Sequence, residues 1–163
     1  MVKGYEKISL RPRNLDNVKV FWEKSKDEEL GKLFPFLNNS LNEAIKLYEE
    51  SIQPGARSFG QVIYADEEYI GDVWCYGIDE IEEKSAFISI VIFNKNFWGQ
   101  GIGKEILMQF SKVIFENYSI NKLCAFTYKS NTRSIVALEK AGFVKLEDFE
   151  EAGVASCYFE RVK

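Results

Sequence analysis

Apolar positions along the chain follow two periods, and the switches between them predict an order of elements. Ile8-Ser-Leu-Arg-Pro-Arg13 reads as a short first strand. From Asn14 to about Leu30, Val18, Phe21 and Trp22 fall at helical spacing, so one helix is expected there. Ser40-Leu-Asn-Glu43 has the capping-box pattern, which starts a second helix at Ser40. That helix should run to about Ile52, and Pro54-Gly55 ends it. Three strand-like runs follow, at Ser58–Ala65, Tyr69–Ile78 and Ser85–Phe93, separated by the acidic turns 66–68 and 79–83. The third, Ala86-Phe-Ile-Ser-Ile-Val-Ile-Phe93, is apolar on both faces, the pattern of a central strand covered from both sides.

A longer helix is expected from Gly101 to about Asn117, with Ile102, Ile106, Leu107, Phe110, Val113 and Ile114 forming one stripe. Lys122–Tyr128 reads as a strand and Asn131–Ala141 as a helix. Gly142-Phe143 turns into a strand ending near Phe149, and Val154–Val162 closes the sheet. The order β-α-α-β-β-β-α-β-α-β-β predicts an α/β (α+β) fold with a mixed sheet and helices on its faces. Its Ser85–Tyr128 unit should be a right-handed parallel crossover. No repeat, low-complexity tract or linker interrupts residues 1–163, so a single domain is expected.

Composition mainly excludes. The chain has no histidine, which removes Ser-His-Asp hydrolases, Cys-His proteases and His-ligated metal sites together. The Gly-x-Ser-x-Gly elbow is absent. Cys75, Cys124 and Cys157 lie far apart in strand-like segments and read as core thiols of a reducing compartment. A net charge of −4 argues against non-specific nucleic-acid binding. No apolar run approaches the ~20 residues that span a bilayer, and the start lacks a leader pattern, so a cytoplasmic protein is expected. Chemistry must therefore use carboxylates, hydroxyls, backbone dipoles or a bound cofactor.

The informative stretch is Phe97-Trp-Gly-Gln-Gly-Ile-Gly-Lys104, between the central strand and the helix near Gly101. A helix start leaves N–H groups unpaired, and its dipole favours an anion there. Three alternating glycines let the backbone approach a ligand without Cβ clashes. Together these features predict a pyrophosphate cradle. A dinucleotide fingerprint fails in both registers, because its last glycine falls on Lys104 or Ile106. A Walker loop fails at Trp98 and Glu105.

The Gly-x-Gly-x-Gly spacing resembles the GNAT superfamily of N-acetyltransferases, in particular its branch of ribosomal-protein alanine and spermidine acetyltransferases. The superfamily motif Arg/Gln-x-x-Gly-x-Gly/Ala maps to Trp98, Gly101 and Gly103, with Trp98 in place of the usual Arg or Gln. Asn131-Thr-Arg-Ser-Ile-Val-Ala-Leu-Glu-Lys-Ala-Gly-Phe143 resembles a second family block, and Gly71 resembles the glycine of its Ile-Gly pair. The resemblance implies a seven-stranded sheet splayed between the central strand and the next. It further implies acetyl-CoA as co-substrate, no metal, and an amine as acceptor. The pantetheine arm would pair with Val91, Ile92 and Phe93, and the pyrophosphate would rest on Trp98, Gly99, Gln100, Gly101, Ile102, Gly103 and Lys104. Asn131 would meet the arm or the far wall of the gap, with Arg133 and Ser134 toward the nucleotide.

Implied chemistry is direct attack of a neutral amine on the thioester, with a backbone N–H near Ile92 polarising the carbonyl. Two usual side chains are missing: Leu138 stands at the family's Tyr position, and Phe87 at its Glu position. Asp72, Glu80, Glu82 and Glu83 are candidate bases, Ser134 a candidate hydroxyl, and Trp74 and Tyr76 candidate aromatic walls for a cation. The catalytic residues stay unassigned. A catalytically weak acyl-CoA-binding module is the alternative, and a nucleotide-binding domain of different chemistry a third reading. Homodimers occur in the family; no membrane or nucleic-acid partner is expected.

Overall fold

The computed structural model describes residues 4–34 and 40–163. The first three residues, on which the reading of the chain's start partly rests, lie outside the described residues. In chain order the elements are β1 (Ile8–Pro12), α1 (Leu15–Lys24), α2 (Glu28–Leu33), α3 (Leu41–Ser51), β2 (Phe59–Ala65), β3 (Glu68–Asp79) and β4 (Ser85–Ile92). They are followed by α4 (Ile102–Asn117), β5 (Lys122–Tyr128), α5 (Thr132–Lys140), β6 (Val144–Glu151) and β7 (Val154–Val162).

One expected helix is two. The helix predicted from Asn14 to about Leu30 ends at Lys24, and a second turn begins at Glu28. The cause is Asp27, whose carboxylate accepts the Leu30 N–H at 3.0 Å and caps the new helix. Lys95 then ties the junction down, reaching Asp27 at 2.9 Å and Glu29 at 2.8 Å. The capping box at Ser40 and Glu43 is formed as the sequence predicted.

Seven strands form one sheet in the order β1-β2-β3-β4-β5-β7-β6. β4 and β5 run parallel across the α4 crossover, and the other neighbours are antiparallel. Alternation along β3 sends Trp74 and Cys75 to opposite faces. Phe21 of α1 meets Trp74 edge-on at 5.8 Å, while Phe59, register partner of Cys75, stacks on Phe110 of α4 at 5.9 Å. Helices therefore cover both faces. Ile106, Leu107, Phe110 and Ile114 of α4 are each at most 1% exposed. Burial of each such side chain stabilises by about 1.5–3 kcal/mol, which anchors α4 firmly on the sheet.

Pairing between β4 and β5 stops early. It joins Ser85, Ala86 and Phe87 to Lys122, Leu123 and Cys124, and no further. β5 stays paired with β7 up to Tyr128, so beyond Phe87 the sheet opens. On the other side, β4 lies so close to β3 that a Cβ on Gly71 would meet the Val91 carbonyl oxygen at 2.3 Å. Only glycine fits there.

Candidate functional site

The opening between β4 and β5 leads into a cavity of about 340 Å³, within the range of small-molecule sites. Its walls are the open edge of β4, the Trp98–Lys104 loop with the first turn of α4, and one face of α5.

Strand geometry decides which β4 groups face this cavity. The Phe93 N–H donates to Ile70 O at 3.0 Å, toward β3. Backbone direction alternates along a strand, so Ile92 turns its polar groups the other way, toward the opening. The Ile92 carbonyl accordingly accepts the Trp98 indole N–H at 2.8 Å. Of Val91, Ile92 and Phe93, only Ile92 lines the cavity, together with Ile90, which sequence reasoning missed. Val91, register partner of Asp72 on β3, is buried, and the Phe93 ring packs against Phe21 and Tyr69. The missed signal was the period of two: if Ile92 faces the gap, its neighbours do not and Ile90 does.

The glycine loop leaves open space in front of its backbone. Gly99 and Gly101 have φ of 75° and 80°, left-handed values that an L side chain resists. A Cβ at either position would meet nothing within 4 Å, so the space before them is open. Gly101 is the N-cap of α4 and offers no side-chain cap, which leaves the first-turn amides to a ligand. Gly103 has a different role. Its missing Cβ would lie 3.2 Å from Cβ of Ala137, so it permits close approach of α4 and α5. Gln100 lies outside the lining; its amide nitrogen donates to Asn96 O at 2.9 Å.

Trp98, Gly99, Gly101, Ile102, Gly103 and Lys104 line the cavity from one side, and Asn131, Arg133 and Ser134 from the other. Asn131 is 3% exposed and caps α5 by accepting the Ser134 N–H, while its amide nitrogen donates to Leu33 O at 3.4 Å. The Arg133 guanidinium lies 3.8 Å over the Trp98 ring. Lys140, which the sequence places in the second family block without a site role, also lines the cavity. Its spacing of seven from Arg133, two helical turns, was the available signal.

The electrostatics are lopsided. Lys104, Arg133 and Lys140 line one cavity, and among the described residues that line it there is no Asp or Glu. No carboxylate among the described residues pairs with any of the three. In a chain of net charge −4, this cation cluster beside a helix start leaves the cavity electropositive.

Candidate bases are placed elsewhere. Asp72 is 1% exposed and accepts the Tyr69 hydroxyl. Burial raises its pKa to about 6, against the opposing pull of nearby Arg13 and the Tyr69 hydrogen bond. Glu80 accepts the Ser119 N–H at 2.7 Å, and Asp79 takes the turn amides of Ile81 and Glu82 at 3.0 Å. Glu80, Glu82 and Glu83 thus sit in the turn before Ser85, at the zipped end of β4, away from the opening. Leu138 is 3% exposed in the core. Phe87 is stacked between Tyr76 at 5.5 Å and Phe126 at 5.4 Å, and Phe126 meets Tyr158 at 5.0 Å. This aromatic row occupies one ring face of Tyr76, and Trp74 is covered by Phe21.

Residues 7–144 match the family described as Acetyltransferase (GNAT) domain. The chain belongs to the GNAT acetyltransferase family. No curated protein matches it, but solved structures do. The GNAT fold of this chain is similar to the aminoglycoside acetyltransferase AAC(6')-Ib in complex with coenzyme A and kanamycin, with a TM-score of 0.79 and 17% identity over 96% of this chain and 95% of that one. It is equally similar to the spermidine N-acetyltransferase from Vibrio cholerae in complex with CoA and spermine, at TM-score 0.80 and 17% identity over 95% of each chain. A third is RimL, a ribosomal L7/L12 alpha-N-protein acetyltransferase in complex with coenzyme A, at TM-score 0.80 and 17% identity over 95% of this chain and 93% of that one. The seven-stranded sheet, splayed between β4 and β5, that the family resemblance implied is present. Among the described residues no group of His, Cys, Asp or Glu could hold a metal, and no helix is long and apolar enough to cross a membrane.

Proposed function

We propose that this GNAT chain, acting as one domain over residues 1–163, transfers an acetyl group from acetyl-CoA to a primary amine. A single observation carries the reading: a cavity lined by Lys104, Arg133, Lys140 and a glycine-cradled helix start, with no lining carboxylate among the described residues, opens into the gap between β4 and β5. That arrangement fits a ligand with a polyphosphate head and a narrow polar arm.

Acetyl-CoA bound there supplies an activated thioester. The chain's own residues do the rest. The first-turn amides of α4 and the Arg133 guanidinium hold the phosphates. The edge of β4 at Ile90 and Ile92 orients the arm, with the Ile92 N–H as donor to the developing oxyanion. The amine nitrogen's lone pair forms the new C–N bond, the C–S bond breaks, and the thiol departs with the proton that the nitrogen loses. Among the described residues the cavity offers no carboxylate to take that proton, so water carries it.

The acceptor is a small amine or a protein N-terminus, and the protein works in the cytoplasm without a nucleic-acid or membrane partner, as a monomer or homodimer. Titration calorimetry with CoA, followed by thiol-release assays across polyamines, aminoglycosides, amino acids and peptide N-termini, tests the reading. Absence of CoA binding would overturn it. Burial of Leu138 and stacking of Phe87 favour one second reading, a catalytically weak acyl-CoA-binding module. Thiol release with any amine excludes that alternative.

A further inference from the structure

We propose that the cavity has two separate phosphate stations and selects the 3′-phosphorylated form of the coenzyme. Arg133 on Trp98 serves the diphosphate, and Lys140 serves the ribose 3′-phosphate. The inference rests on the acetyl-CoA reading above.

Position along α5 separates the stations. Arg133, Ala137 and Lys140 fall on one helix face and line the same cavity. Arg133 is at the gap end, against Trp98, whose indole is bonded to Ile92. Ala137 marks the crossing, where α4 comes so close that a Cβ on Gly103 would lie 3.2 Å from that of Ala137. Lys140 lies one turn beyond that crossing, and two turns, about 10 Å along the axis, from Arg133. Lys104, in the first turn of α4, faces the same cavity.

Charge says why one diphosphate is not enough. A diphosphate on the α4 amides and Arg133 would leave Lys140 and Lys104 facing the cavity unpaired. A phosphomonoester adds about −1.5 to −2 at neutral pH, which these two cations match. Side-chain chemistry agrees with the order. With one guanidinium face on the indole, Arg133 keeps its in-plane N–H fork for two oxygens at once, as a diphosphate requires. Lysine is a mobile point charge on a flexible stem, suited to a monoester at the exposed outer end.

The test is calorimetric binding of CoA and of 3′-dephospho-CoA to the wild-type chain, Arg133→Ala, Lys140→Ala and Lys140→Arg at one ionic strength. The wild type should bind CoA about tenfold or more tighter than 3′-dephospho-CoA, the range of a charge-assisted contact. Lys140→Ala should lose most of that preference by weakening CoA more than 3′-dephospho-CoA, and Lys140→Arg should restore it. Arg133→Ala should weaken both ligands by the same factor and preserve the ratio. Equal wild-type affinities, or an unchanged ratio in Lys140→Ala, would overturn the two stations and leave the acetyl-CoA reading standing. Failure of both ligands to bind would overturn both.

Discussion

The indole N–H of Trp98 donates to the carbonyl oxygen of Ile92 at 2.8 Å, while its ring carries the Arg133 guanidinium at 3.8 Å. One side chain thus satisfies the open edge of β4 and seats a cation from α5, linking three walls of the cavity. The family's usual Arg or Gln at this position is replaced by a residue whose ring does as much as its polar atom.

These two contacts separate by substitution. Trp98→Phe keeps a ring for Arg133 but strands the half-buried Ile92 carbonyl, at a cost of about 1 kcal/mol, or a fall of about 2–4 °C in Tm. Trp98→Ala also releases Arg133, an exposed residue, and should weaken CoA binding about two- to fivefold relative to Trp98→Phe, the range of an exposed cation–π contact. Thermal unfolding and calorimetry read the two effects. Equal CoA affinity in both variants would show that the indole does not seat Arg133.

Gly103 is set by packing and Gly101 by conformation, so they should respond differently. Gly103→Ala places a Cβ 3.2 Å from that of Ala137, and a modest loss of stability is expected as α4 and α5 separate. Ala137→Gly opens the space at a cost of about 1 kcal/mol of helix propensity. The double variant should be more stable than the sum of the two changes predicts, by a coupling of about 0.5–1 kcal/mol. Gly101→Ala has open space but a φ of 80°, so no second-site change at Ala137 should rescue it. Denaturant unfolding of the set decides; additive Gly103 and Ala137 effects would sink the packing role.

Asp72 makes stability depend on pH. Its folded pKa is raised to about 6, from 3.8 when free. The folded state therefore holds this proton more tightly than the unfolded state does. The contribution is fully present below about pH 4 and is lost as pH rises through 6, up to about 3 kcal/mol in all. Asp72→Asn should flatten the stability profile between pH 4 and 7 relative to wild type, without shifting features outside that window. Parallel curves for the two proteins across the window would contradict the assignment. Tyr69→Phe removes a hydrogen bond that holds the pKa down, so it should move the wild-type loss to higher pH.

Local pattern carried much of the fold. Ser40 and Glu43 announce a helix start because capping is settled within four residues, and the α4 stripe announces its buried face for the same reason. The split between α1 and α2 was harder to read. Asp27 had to be recognised as a cap, and Lys95, which holds it, is distant in sequence.

The glycine spacing determined by itself that a left-handed loop and a helix start without a side-chain cap would precede α4, since positive φ at Gly99 and Gly101 and the capping of a helix are local properties. It could not assign Gly103 to the Ala137 contact, because that depends on how α5 lies against α4. Nor could it show that Leu138 turns into the core, that Phe87 is closed between two rings, or that Lys140 joins Arg133 and Lys104 around one cavity. Charge and stacking act through space between segments far apart in the chain, and only tertiary packing fixes which segments meet.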